Sequence, residues 1–326
     1  MPAARALALA LSAALAAAAT PASSAKAGSN TPALERFQAQ QQVEQRVQDI
    51  GWRLVTGNSR FCDNVVPAIG LLLHDMASYR EPAAVRNLLG LESDFAVLAA
   101  AEGSPAAKAG LAAGVEIAAI DNEVLSSWPS ETHGDWRRTV RAHDLISARL
   151  ATSGVVVLQR REGSRVKLAG EPACASRFEM GGGGKGALAE GMRVIVERDF
   201  PGLGYPEDEL AAALAHELAH NLLRHRMWLE REGRGRRNIR LTEREADRLM
   251  PWLLANAGYQ PSAASRFMAR WGPDHSGGIF RKRSHDGWDE RLEFIEAELV
   301  QIDKVRHADG SADWHSHFRR DIDPDQ

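Results

Sequence analysis

The chain has 326 residues, 44% of them hydrophobic and 25% charged, the balance of a globular protein of two or three structural units, which excludes wholesale disorder. Forty Lys and Arg stand against forty-three Asp and Glu. No global basic field therefore exists to hold nucleic acid or an anionic membrane, and the balance is not acidic enough to name a partner.

The first residues read as an address. Arg5 supplies a short positive region, Ala6 to Ala19 is apolar apart from Ser12, and Ala25-Lys26-Ala27 fits a small-x-small cleavage site. Residues 1–27 are therefore read as a secretory signal peptide that delivers the protein to the periplasm or the exterior. The alternative, an uncleaved anchor, needs a run of ~20 apolar residues. No second long apolar run follows, so the mature chain is expected to lack a transmembrane span. In an exported chain the two cysteines, Cys62 and Cys174, read as one disulfide, worth about 4–5 kcal/mol for a loop of this order; the alternative is two buried free thiols.

Between Pro32 and Leu54, Val43, Val47, Ile50 and Leu54 recur at helical spacing among Gln, Glu and Arg, which predicts an amphipathic helix ended by Thr56-Gly57-Asn58-Ser59. Val65 to Tyr79 is apolar and is expected to pack beside it as a short strand or helix. Residues 28–88 would thus form the helical start of the main body. From 89 to 170 the texture changes to short β-type runs separated by Gly, with a helix over Trp136 to Leu150, which predicts a separate small domain. Gly181 to Gly186 is not a phosphate loop, because Lys185 is followed by Gly186 rather than Ser or Thr. Met192 to Glu197 alternates as a strand, and a long helix is predicted over Glu207 to Met227.

Within the small domain, Ser104-Pro105, Gly110-Leu111, Gly114-Val115-Glu116-Ile117 and Asp121-Asn122-Glu123 follow in an order that resembles a PDZ domain of the bacterial protease-associated type. The resemblance implies a short helix after the Ser-Pro, then a strand and a tight turn. It also implies a C-terminal peptide ligand that adds to a sheet edge; the alternative role is a rigid spacer.

The predicted long helix contains His216-Glu217-Leu218-Ala219-His220. Two imidazoles four residues apart share one helix face, close enough to grip a single Zn²⁺, while Glu217 reaches the water that the metal activates. Leu210, Leu214, Leu218, Leu222 and the intervening alanines make the helix apolar on most sides, hence buried. Burying two imidazoles and a carboxylate without partners is costly, and a metal removes that cost. A catalytic zinc takes three protein ligands. Thr242-Glu243-Arg244-Glu245-Ala246-Asp247 offers the third: Thr242 and Glu245 fit a capping box, which places Glu243 in the first turn of a following helix and Asp247 one turn on, behind a ligand histidine.

These two strings resemble the HtpX-like and CAAX-prenyl-protease-like zinc metallopeptidases of the gluzincin group, whose pattern is His-Glu-x-x-His on one helix and Glu-x-x-Ala-Asp on the next. The resemblance covers about residues 175–300. It implies an α+β chain: a mainly helical zincin catalytic domain with a small edge sheet over 171–326, completed by residues 28–88 and interrupted by the PDZ-like insert. It implies one Zn²⁺ held by His216, His220 and Glu243, with Glu217 as general base and Asp247 behind the ligands. Ser284-His285-Asp286 and Arg291 resemble the family's Ser/Thr-His-Pro segment and following Arg, with Asp286 in place of Pro. That gives His285 a place at the open zinc position and Arg291 a supporting one; the alternative for His285 is a loop residue capping a helix over Arg291 to Val300. His315 and His317 fall in a polar, mobile tail, and Arg231 to Arg240 in a basic loop.

The expected function is that of an exported zinc metalloendopeptidase that hydrolyses unfolded or extended protein substrates, with the strand at Met192 to Glu197 as the edge that pairs with them. A periplasmic chaperone-like or scaffold protein that binds client termini is the alternative. No nucleic-acid partner is expected.

Overall fold

The computed structural model describes residues 27–130, 134–275 and 286–322. All but the last residue of the expected signal peptide, and His285, lie outside the described residues. Helix and strand are mixed along the chain, as the α+β expectation required. Helix α1 (Ala27–Gly57) buries Val47, Ile50 and Leu54 on one face, as their spacing dictates. Its end is fixed by Asn58, whose buried amide donates to the carbonyls of Leu54 and Leu253 and accepts from the Trp314 indole.

Strand β1 (Val65–Ala68) then leads into a second unit with its own core. This comprises β2 (Leu71–Asp75), α2 (Pro82–Leu89), β3 (Phe95–Ala100), α3 (Pro105–Lys108), β4 (Ile117–Ile120), β5 (Glu123–Val124), α4 (Arg137–Ser153), β6 (Val155–Arg160) and β7 (Arg165–Ala169). β2 pairs with β3, and the larger sheet runs β5-β4-β6-β7. Ser104 caps α3 by accepting from Ala107 N–H, with Pro105 in the first turn, and Asp121 adopts a left-handed φ of 51° in the β4–β5 turn. A short helix after the Ser-Pro and a tight turn at Asp121-Asn122 are what the PDZ resemblance implied. Ile69, Leu71 and Leu73 belong to this core, so its packing begins upstream of the change in texture at 89. Their apolar run is a strand that β3 completes from a distance, which local composition does not reveal.

β8 (Glu171–Cys174) returns antiparallel to β1, closing the unit at its root. The Cys62–Cys174 disulfide joins the same two points, with Cα atoms 5.7 Å apart and a sequence separation of 112. A three-stranded sheet follows from β9 (Arg177–Met180), β10 (Ala187–Ala189) and β11 (Arg193–Val196), in the order β10-β11-β9. The strand expected as the edge, residues 192–197, is thus the middle one, with β10 and β9 at the two edges and β10 bordering the helix Glu207–Leu222. Alternation in sequence marks a strand but carries no information on its neighbours.

The rest is helical: α5 (Glu207–Leu222), α6 (His225–Glu232), α7 (Arg236–Asn256), α8 (Ala263–His275), α9 (Trp288–Asp309) and α10 (Trp314–His317). With α1 and the three-stranded sheet these enclose the main core, in which Leu210, Leu214, Leu218, Trp252 and Leu253 are inaccessible to solvent. Four local expectations are corrected. The helix expected to reach Met227 stops at Leu222, because Arg224 turns left-handed at φ 58°. The capping box is absent: α7 begins at Arg236, Thr242 sits inside it with its hydroxyl on the Ile239 carbonyl, and Glu245 is buried among other partners. Residues 231–240 are helical except for the Gly233–Gly235 connection. The C-terminal segment is anchored, with Trp314, Phe318 and Ile322 buried. Among the described residues no helix is long and apolar enough to cross a membrane.

Candidate metal centre

α5 and α7 pack side by side and bring the two polar strings face to face. His216 and His220 point their Nε2 atoms at each other across 3.2 Å. Glu243 from α7 approaches both, with Oε2 3.4 Å from His216 Nε2 and Oε1 3.6 Å from His220 Nε2. One ligand atom from each of the three residues lies within 4.8 Å of the others, so the group could hold a metal ion. Tetrahedral ligation at ~2.0–2.1 Å separates two ligand nitrogens by roughly 3.3 Å, and the observed spacing matches.

The surroundings favour a cation. Asp247, fully buried one turn beyond Glu243, places Oδ1 3.1 Å from His216 Nδ1. The contact is at an ion-pair distance that falls outside hydrogen-bond geometry; beside a carboxylate, which only accepts, the hydrogen belongs on Nδ1, which leaves the His216 lone pair on the Nε2 facing Glu243. Arg291 from α9 holds Asp247 with a two-point grip and lies 4.0 Å from Glu243. Burial opposes the charge on Asp247, but Arg291 and His216 outweigh it and hold the carboxyl below its usual range. Burial also opposes a charge on His216; the carboxylates of Asp247 and Glu243 prevail and raise its pKa to about 10. His220 goes the other way, pushed down to about 3 by burial, with His225 and His216 adding to it. A proton is thus favoured on His216 and disfavoured on His220.

Glu217 follows His216 on α5 and faces a cleft of about 690 Å³. Burial pushes its carboxyl up to about 8, Glu243 adding to the shift while His216 and the Ala189 N–H oppose it. The cleft is floored by His216, Glu217, His220 and Glu243, bordered by β10, and walled by Phe200, Phe267 and Trp271. Trp271 stacks between Phe267 and His275, with Phe200 tilted against it at 5.3 Å. Asp286 does not face the cleft: it is buried and ion-paired with Arg244 at 2.9 Å, pinning the start of the α9 region to α7. Compared with known proteins, the chain matches no protein-family model and no curated sequence.

Sequence reasoning brought together His216, Glu217, His220, Glu243, Asp247 and Arg291, and the structure places all six at one centre. It missed His225 and Glu245. His225 Nδ1 lies 2.9 Å from His220 Nδ1, and its Nε2 lies 3.0 Å from Glu245 Oε2. The only sequence signal was a histidine five residues after His220, off the helix face by ordinary spacing; the turn at Arg224 returns it to His220. Glu245 is held below its usual range although burial opposes this, because His225 and Arg320 hydrogen-bond its carboxylate.

Proposed function

We propose that the protein is a zinc-dependent metalloendopeptidase acting on unfolded or extended protein chains, in an oxidising compartment such as the periplasm or the exterior. The observation that carries the reading is the position of Glu217 on the cleft floor beside the point where His216, His220 and Glu243 converge. The resemblance of the two strings to gluzincin motifs points the same way, and the Cys62–Cys174 bond suits an exported chain.

One Zn²⁺ per chain, bound by His216, His220 and Glu243, would supply Lewis acidity that activates water and polarises a scissile carbonyl. Glu217 accepts the proton of the attacking water and delivers it to the departing amine. The edge strand β10 offers backbone donors and acceptors to an extended substrate, and the aromatic wall offers apolar contact to its side chains. Arg291, acting through Asp247, keeps the His216 ring aimed at the centre.

A second reading has one observation behind it. An apolar cavity of about 400 Å³ lies at the junction of the two units, between α4 and residues 66–72 on one side and Trp52 and Val55 of α1 and Phe178 of β9 on the other. It suits the C-terminal peptide ligand of a PDZ-like unit, and a chaperone-like or scaffold protein would use it. The Leu73 N–H is already taken by His143 Nε2 at 3.2 Å, which removes one donor from strand addition there. Casein cleavage by the full chain with and without chelator, measured beside zinc content, separates the readings. Chelator-sensitive cleavage that Glu217→Gln eliminates, with stoichiometric zinc retained, supports the peptidase. Stoichiometric zinc without cleavage supports the scaffold, and full activity in Glu217→Gln overturns the assignment of the base.

A further inference from the structure

The far nitrogen of a metal-binding histidine usually meets a carboxylate, a carbonyl or water. That of His220 meets a third imidazole. His225 Nδ1 lies 2.9 Å from His220 Nδ1, with the rings nearly perpendicular at 79°. His225 Nε2 lies 3.0 Å from Glu245 Oε2, and both side chains are almost wholly buried. Because the carboxylate only accepts, His225 carries its hydrogen on Nε2 and its lone pair on Nδ1. His220 must then donate from Nδ1, which leaves its Nε2 lone pair facing His216 and Glu243.

Glu245 is fixed in turn by the C-terminal segment. It accepts from the backbone N–H of Asp321 at 2.6 Å, from that of Ile322 at 2.8 Å and from Arg320 Nη2 at 2.9 Å. Arg320 also donates to the Leu223 carbonyl at 3.2 Å, just past the end of α5. The left-handed Arg224 that follows breaks the helix and lets His225 double back onto His220. Backbone conformation, two side chains and a distant segment thus converge behind one ring.

We propose that His225 and Glu245 are positioning residues, a relay that selects the metal-binding tautomer of His220, and that Arg320–Ile322 clamps this relay in place. The proposal rests on reading His216, His220 and Glu243 as a metal site.

The test is the zinc affinity of the full chain, measured by competition with a chromogenic chelator, with the melting temperature of the metal-free protein measured beside it. His225→Asn keeps an acceptor oxygen where Nδ1 stands, whereas His225→Leu fills the space without one. The Leu variant is expected to weaken zinc binding 10–100-fold, the Asn variant to recover most of that loss, and Arg320→Ala to weaken binding by a smaller factor. Equal zinc affinity in the Leu and Asn variants overturns the relay, since only packing would then matter. Wild-type affinity in Arg320→Ala overturns the clamp. If His225→Leu does not fold, His225→Gln, whose amide sits one carbon further out, replaces it in the comparison with Asn, and equal affinities again overturn the relay. A wild-type chain that binds no zinc overturns the metal reading itself, whereas intact zinc binding that ignores residue 225 overturns the relay alone.

Discussion

Arg291 holds Asp247 through two hydrogen bonds, from Nε to Oδ2 at 2.6 Å and from Nη2 to Oδ1 at 2.7 Å. Asp247 is wholly buried and shares Oδ1 with His216 Nδ1, so a residue of α9 aims a ring on α5 through a carboxylate on α7. Removing one partner of such a pair strands the other charge in the interior. Arg291→Ala is expected to destabilise the fold by about 3–5 kcal/mol, read from urea denaturation. Arg291→Lys keeps the charge but loses the fork and should recover only part of the loss. A cost in Arg291→Ala below about 1 kcal/mol would contradict this account.

Metal removal should register as lost stability. An ion that binds only the folded chain adds about 4 kcal/mol at a thousandfold excess over its Kd. The melting temperature is therefore expected to rise with free zinc and to fall on adding chelator. In His216→Ala, which deletes one of the three converging donors, that dependence should vanish. Calorimetric scans across a zinc series check both statements, and a wild-type transition that ignores zinc would refute them.

His143 supplies a pH test far from the metal centre. Burial lowers its pKa from 6.5 to about 4, with Arg177 adding to the shift and Glu179 opposing it, and its Nε2 accepts from the Leu73 N–H. The folded state thus keeps the ring neutral while the unfolded chain takes up a proton below about pH 6.5. The unfolded state binds more protons in this window, so the His143 contribution falls as pH drops from 6.5 toward 4, by at most about 1.4 kcal/mol per pH unit. His143→Gln removes this dependence. Subtracting its urea-derived stability from that of wild type at pH 7, 6 and 5 should give a difference that declines toward acid, and a flat or rising difference would sink the assignment.

The disulfide ties the root of the inserted unit, where β1 and β8 pair, across a sequence separation of 112. Replacing Cys62 and Cys174 together with Ala is expected to cost about 2–5 kcal/mol. Denaturation of the oxidised wild type against the double variant measures it. Reduced wild type should approach the variant, and identical midpoints for all three would show that the bond adds nothing.

The centre was legible in sequence to the extent that its chemistry is local. His216 and His220, and likewise Glu243 and Asp247, are each four residues apart on one helix, so helical geometry alone puts each pair on one face. Glu245 shows where that logic fails. Its place three residues after Thr242 fitted a capping box, yet its carboxylate is committed to His225 and to Arg320, Asp321 and Ile322 from the far end of the chain. Asn58 is a similar case: its position marked a turn, while its side chain links the end of α1 to Leu253 and Trp314.

By itself the sequence determined what short-range geometry can encode: the helix faces of α1 and α5, the cysteine pair as a candidate bond and two pairs of metal-type donors. Only the tertiary structure decided that β11 is the middle strand and β10 an edge, that the second core starts at Ile69 rather than near 89, that the C-terminal segment is anchored, and that His225 stands behind His220. The physical reason is the same each time. Periodicity and capping act over a few residues, whereas strand order, core membership and the partners of a buried charge depend on which distant surfaces meet, and packing settles that for the whole chain at once.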